Sequence, residues 1–138
     1  DAIKQLVYLT SDRQIKAMMK GNELEKTKNF KAFWAALDPT PGTIENELME
    51  EYYRRVAFSM EAFTVVQEGW KTDRGMIYIL FGPPDEIQRG PLELDRKPYQ
   101  VWEYYLIGKQ FVFKDETGFG DYRLDHTYLD QGDWRFRY

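Results

Sequence analysis

The apolar residues of this chain change their period about halfway along, and that change limits the fold more than any other feature. Up to residue 65 they recur at three- and four-residue spacing. From residue 76 they come in short runs bounded by glycine, proline and polar clusters. The first pattern is that of helices with one buried face, the second that of strands. Helices gathered in one half and strands in the other imply an α+β domain, with the helices covering one face of an antiparallel sheet.

Three helices are expected, at 11–20, 22–37 and 43–65. Ser11 and Gln14 form a capping box, in which each side chain can satisfy the other's orphan N–H. Ile15, Met18 and Met19 supply the stripe, and Gly21 is a natural stop. Asn22 with Glu25 caps the second helix, in which Phe30, Phe33, Trp34 and Leu37 share one side. "DPTPGT" (38–43) breaks it, because Pro39 disfavours helical geometry at Asp38 and Pro41-Gly42 makes continuation costly. Thr43 is the candidate cap of the third helix, with Glu45 and Glu47 near its positive end. Ile44, Leu48, Tyr52, Val56 and Met60 recur at four-residue spacing along it. Glu50–Arg54 and Glu51–Arg55 are i,i+4 pairs, each worth about 0.2–0.5 kcal/mol. Residues 3–9 form an apolar lead-in whose type stays open.

Strands are expected at 76–81 ("MIYILF"), 99–106, 109–115 and 121–128. The first could also be a helical turn, since period alone does not separate the two in so short a run. The second and third read as a hairpin, and "ETGFG" is the turn before the last. The loop 88–98, "QRGPLELDRKP", is expected to be the most mobile part.

A chain of 138 residues suggests one domain able to bury roughly two-thirds of its unfolded surface. Aromatics make up 17%, enough for a dense core with Tyr and Trp left for a sticky face. The net charge of −4 argues against a nucleic-acid surface, which needs a clustered basic face. No run reaches the length of a membrane-spanning helix. The chain opens at Asp1 without the pattern of a signal peptide. The absence of cysteine removes disulfides, thiolate metal sites and a cysteine nucleophile, and leaves the compartment open.

Catalytic groups are scarce. His126 is the sole histidine, and a base needs a nucleophile and an orienting acid. Asp125 beside it would face the other way on a strand. The serines are Ser11, a cap, and Ser59, in mid-helix. One histidine without cysteine argues against structural zinc. Asp115, Glu116, Asp121 and Asp125 lack the spacing of an EF-hand. No two acids stand out as a glycosidase pair. The expectation is a domain without catalytic residues, cofactor or metal.

Two motifs need an account. In "GWKTDRG", Gly69 is read as a left-handed exit and Trp70 as a plug between helices and sheet. Thr72 and Asp73 are read as acceptors for backbone N–H groups, and Arg74 as the partner of a carboxylate such as Glu47 or Glu51. Alternatively Thr72, Asp73, Arg74 and Asp85 form a polar site for a small ligand or glycan, or the site of a weak enzyme. In "GPPDE", Gly82, Pro83, Pro84 and Asp85 end the apolar run and set a turn. On the strand 99–106, Trp102, Tyr104 and Leu106 share one face and Tyr105 lies on the other. If the first packs on the helices, Tyr105 is left for a protein partner or a sugar ring.

"GWKTDRG" followed by "IYILFGPPDEI", with "FW" at 33–34, "DPTPGT", "NE" at 46–47, "YYRRV" at 52–56 and "ETGFGDYRL", resembles the GWxTD domain family. The likeness covers roughly residues 6–126; the tail after Tyr128 falls outside it. It resembles a bacterial family met mainly in Bacteroidetes and Acidobacteria, whose members usually sit within longer proteins carrying export signals. The resemblance therefore implies an extracytoplasmic location and a domain excised from a longer chain. It brings no established activity with it. "ILFGPPDE", "VWEYYL" and "KQFVFKDETG" are also similar to the small outer-membrane-assembly lipoproteins, over about a third of the chain. This second likeness implies a binding scaffold on an envelope complex. The scarcity of catalytic groups, the aromatic strands and the family resemblance together give the expectation of an interaction or scaffold domain whose partner is another protein or a neighbouring domain.

Overall fold

The computed structural model describes residues 1–90, 97–126 and 134–137. A 3-10 helix, Lys4–Tyr8, leads into α1 (Asp12–Met18), α2 (Glu23–Leu37) and α3 (Glu47–Phe63). A 3-10 turn, Gly69–Lys71, then enters α4 (Asp73–Phe81). Four strands follow: β1 (Glu86–Gly90), β2 (Tyr99–Tyr104), β3 (Lys109–Asp115) and β4 (Tyr122–Leu124). They form one antiparallel sheet in the order β1-β2-β3-β4. The α+β class expected from the change of period is the observed one.

Local signals explain most helix ends. Ser11 Oγ accepts the Gln14 N–H at 3.2 Å, and Asn22 Oδ1 accepts that of Glu25 at 2.9 Å. The third cap is not Thr43. Its hydroxyl is held in a turn by the carbonyls of Thr40 and Glu45, and Ile44 is fully exposed outside any helix. Asn46 caps α3 instead, accepting the Met49 N–H at 3.1 Å while its Nδ2 donates to the Trp34 carbonyl at 2.9 Å. An amide can do both, and so ties the start of α3 to the end of α2. Arg54 and Arg55 both turn to Glu51, at 3.1 and 3.8 Å.

Residues 76–81 are the principal correction: they lie in a helix, not a strand. Thr72 caps it, and Gly82, at φ 81°, closes it with an N–H to the Tyr78 carbonyl at 2.7 Å. The misreading has a simple cause. α4 is enclosed by two cores, so it is apolar nearly all round and shows no stripe. Ile79 joins the helical core around Trp34, Tyr52, Val56 and Trp70. Ile77, Leu80 and Phe81 join the sheet core around Phe63, Trp102, Phe111 and Phe113.

β1 falls where the sequence reads as the end of the GPPDE turn and the start of the loop 88–98, because "EIQRG" is mostly polar and lies at the sheet edge. Of the loop expected at 88–98, residues 91–96 lie outside the described residues. β2 ends at Tyr104, with 105–106 in the following turn. β4 is shorter than the expected 121–128, whose last two residues lie outside the described residues.

The sheet's inner face carries Ile87, Trp102 and Phe111 in one cross-strand row. Arg89, Gln100, Phe113 and Leu124 form the next. Trp102 packs on Phe63 and Phe113 with ring centroids at 5.6 and 4.9 Å. Burying one such side chain stabilises the fold by about 1.5–3 kcal/mol. The tail, which the sequence left unplaced, crosses α4: the Arg137 N–H reaches the Leu80 carbonyl at 2.8 Å, and Phe136 packs on Tyr52.

Candidate functional site

The GWKTD segment joins α3 to α4. Gly69 is not in a left-handed conformation, contrary to expectation; its reason is space. A Cβ there would lie 1.7 Å from the Ser59 carbonyl oxygen. Gly75 is confined likewise, since its Cβ would lie 1.9 Å from the Gly69 oxygen. The two glycines let the turn sit directly on α3 and α4 start directly on the turn. Trp70 is buried in the helical core rather than between helices and sheet. Its carbonyl accepts the Tyr8 hydroxyl at 2.6 Å. Burial, and then the charge of Asp73, push the Tyr8 pKa up to about 12.

Thr72 is buried and uses its hydroxyl twice. It donates to the Gly69 carbonyl at 2.7 Å and accepts the Gly75 N–H at 3.0 Å. Asp73 Oδ2 accepts the Leu124 N–H at 2.7 Å, tying the start of α4 to β4. Arg74 does not pair with Glu47 or Glu51. Glu47 accepts the Thr40 hydroxyl at 2.7 Å, and Glu51 holds the two arginines of its own helix. The Arg74 guanidinium donates to the Gly120 carbonyl at 3.2 Å between the rings of Phe63 and Tyr122, at 4.9 and 4.5 Å. Burial lowers its pKa, against the opposing pull of Tyr122, Asp115 and Asp121. The three polar residues of the motif therefore bond to separate backbone groups, Thr72 within the turn, Asp73 on β4 and Arg74 on the loop before it.

The GPPD turn is also internally bonded. The Gly82 carbonyl accepts the Tyr104 hydroxyl at 2.7 Å. Asp85 Oδ2 accepts the Tyr105 N–H at 2.7 Å, and the Asp85 N–H reaches the Glu103 carbonyl at 2.8 Å. This fastens the start of β1 to the end of β2. Both proline peptide bonds are trans.

A family model described as GWxTD domain matches residues 1–132. The chain belongs to this family. No curated protein and no solved structure gives a match. In this GWxTD domain the motif that names the family is thus a glycine-tightened corner between two helices, hydrogen-bonded outward to a strand.

The other sequence candidates separate. Trp102 and Tyr104 are buried, at 1% and 6% exposure, in the sheet core. Tyr105 is 61% exposed, and its hydroxyl meets the Glu86 carboxylate, a bond that pushes its pKa up to about 12. His126 is exposed, and Asp125 pairs with Lys114 at 2.9 Å. Asp115 is buried and accepts the N–H groups of Gly118 and Gly120, shaping the loop before β4. Asp121 pairs with Arg123 at 3.0 Å and Glu116 with Lys97. Among the described residues no cluster of three or more His, Cys, Asp or Glu could hold a metal ion.

One concave site had not been assembled from the sequence. A groove of about 540 Å³ opens between α3, α4, β1 and β2. Phe58 and Tyr78 stack beside it, with centroids 4.4 Å apart and planes 14° from parallel. Pro83, Pro84 and Ile87 form one wall, and Trp102 and Phe63 lie deepest. Among the described residues, Arg74 and Arg89 are the charged ones that line it, and no carboxylate does. The signal lay in Phe58, an aromatic off the buried stripe of α3 and 45% exposed. A second depression, of about 660 Å³ between α1 and α2, is lined by residues such as Ala17, Ala32 and Phe33, with no charged side chain among the described residues.

Proposed function

We propose that this GWxTD domain is a non-catalytic interaction module, carried by a larger extracytoplasmic protein of a bacterial envelope, and that the α3–β1 groove is its contact surface. The observation that carries the reading is a division of labour. The polar groups of GWKTD and GPPD are bonded internally, whereas the groove has the exposed Phe58 stacked on the half-buried Tyr78 and two guanidinium groups beside it. Exposed aromatics with arginine are the side chains that dominate protein contacts. The location and the longer parent rest on the family resemblance.

The second reading is a small-ligand or glycan site. It is favoured by Arg74 alone, the one residue of the polar set Thr72, Asp73, Arg74 and Asp85 that lines the groove. The test is Ala62→Arg, at an exposed groove position on α3, in the full-length protein in its host. Loss of its association in the envelope fraction at an unchanged melting temperature is expected. Normal association would remove the groove as the contact surface, and recovery of the protein in the cytosolic fraction would remove the location.

A further inference from the structure

We infer that the groove receives an extended, acidic peptide segment that adds to the free edge of β1 as a fifth strand. This rests on the groove being the contact surface and names what fills it. Three independent features converge on that occupant.

The first is the edge itself. Among the described residues β1 pairs with β2 alone, so along Glu86–Gly90 one row of backbone N–H and C=O groups has no partner in the sheet. Such an edge is a template for another extended chain. The second is what lies beside it. Ile87 and Arg89 sit on the inner face of β1, in register with Trp102 and Gln100, and both line the groove. An added strand would direct every second side chain to that same face. There it would meet the Phe58–Tyr78 stack and the Pro83–Pro84 wall.

The third is charge. The domain carries −4 overall, yet among the described residues the groove is lined by two arginines and no carboxylate. Arg74 is already engaged by the Gly120 carbonyl and two rings. The Arg89 side chain is exposed, and its guanidinium makes no hydrogen bond or ion pair with any described residue. The two cations are near enough for Arg89 to make the charged form of Arg74 less favourable. A carboxylate between them would relieve that repulsion and gain charge-assisted hydrogen bonds. A basic segment would meet like charge.

The test is fluorescence anisotropy of the 138-residue chain with three labelled peptides. Each is about eight residues long, enough to span β1. One alternates glutamate with valine and phenylalanine, one has lysine for each glutamate, and one is the acidic peptide N-methylated at alternate residues. Binding of the acidic peptide at least about tenfold tighter than the lysine peptide is expected, weakening with salt. Arg89→Glu should weaken it by about tenfold or more, while Lys28→Glu, on the exposed face of α2, should not. N-methylation should weaken it comparably, because it removes backbone donors. Circular dichroism of Arg89→Glu checks that the fold is kept. Equal affinity for the acidic and lysine peptides overturns the charge assignment. Undiminished binding of the N-methylated peptide overturns strand addition. No binding of any peptide overturns the inference, with glucuronate binding or reversible dimerisation in the same assay pointing to a sugar acid or a second copy. If Ala62→Arg abolishes association of the full-length protein while no acidic peptide binds, the groove stands as an interface and the acidic strand does not.

Discussion

The GWKTD corner and the α3–β1 groove meet at Arg74 and are built in opposite ways. In the corner, two glycines bring backbone within contact of backbone, and each polar side chain has an internal partner. In the groove, the exposed Phe58 stacks on the half-buried Tyr78, and the Arg89 guanidinium has no partner among the described residues. A conspicuous motif is therefore compatible with a purely structural task. Recognition can also draw on residues, such as Phe58 and Arg89, that no motif marks.

Substitutions can break or sharpen that contrast. The largest effect is expected from Gly69→Ala. Its methyl group would meet a helix carbonyl that cannot swing aside, so a loss on the order of 3 kcal/mol is expected in urea denaturation. A loss under about 0.5 kcal/mol would place the tight approach in doubt. Thr72→Val removes the cap of α4 and leaves the Gly75 N–H without its acceptor; about 1–2 kcal/mol should be lost in the same assay.

Alkaline pH should also act on the corner. Tyr8 in the folded state titrates near 12, above its ordinary 10, chiefly because it is buried. Tyr53 is raised to about 12 for the same reason. A raised folded pKa means the stabilising contribution is complete below pH 10 and is lost as pH rises from there through about 12. Melting curves across that window should show the fall, and Tyr8→Phe should reduce it. The smallest effect on stability belongs to the groove. Ala62→Arg and Arg89→Glu lie at exposed positions and should stay within about 0.5 kcal/mol of the parent. A larger loss would mean that the groove, like the corner, holds the fold together.

Signals that are local in the chain were legible before the fold was known. Ser11 and Asn22 cap their helices because the acceptor and its N–H lie three residues apart. The β2–β3 hairpin follows from adjacent runs. What escaped depends on distant partners. Asn46 takes the cap from Thr43 because it also bonds the Trp34 carbonyl, twelve residues back. Residues 76–81 adopt a helix because Thr72 caps it and two cores enclose it. Thr72 was visible in the sequence, but the second core was not. β1 is recognisable only by its pairing with β2, since an edge strand need not be apolar. Arg74 chooses a carbonyl 46 residues away over the carboxylates of α3. The groove escaped for the same reason: Phe58, Tyr78, Pro83 and Arg89 become neighbours only through the packing of α3, α4 and β1.

The central claim is that the polar residues of the motif serve the fold, and the most direct measurement is equilibrium urea denaturation of Asp73→Ala beside the parent. The substitution strands the Leu124 N–H that Asp73 accepts at 2.7 Å. A loss of about 1–3 kcal/mol at an unchanged denaturant slope is the predicted result. Equal or greater stability without the carboxylate would contradict the account, because Asp73 would then be held without benefit to folding and the corner would be the first place to look for a ligand.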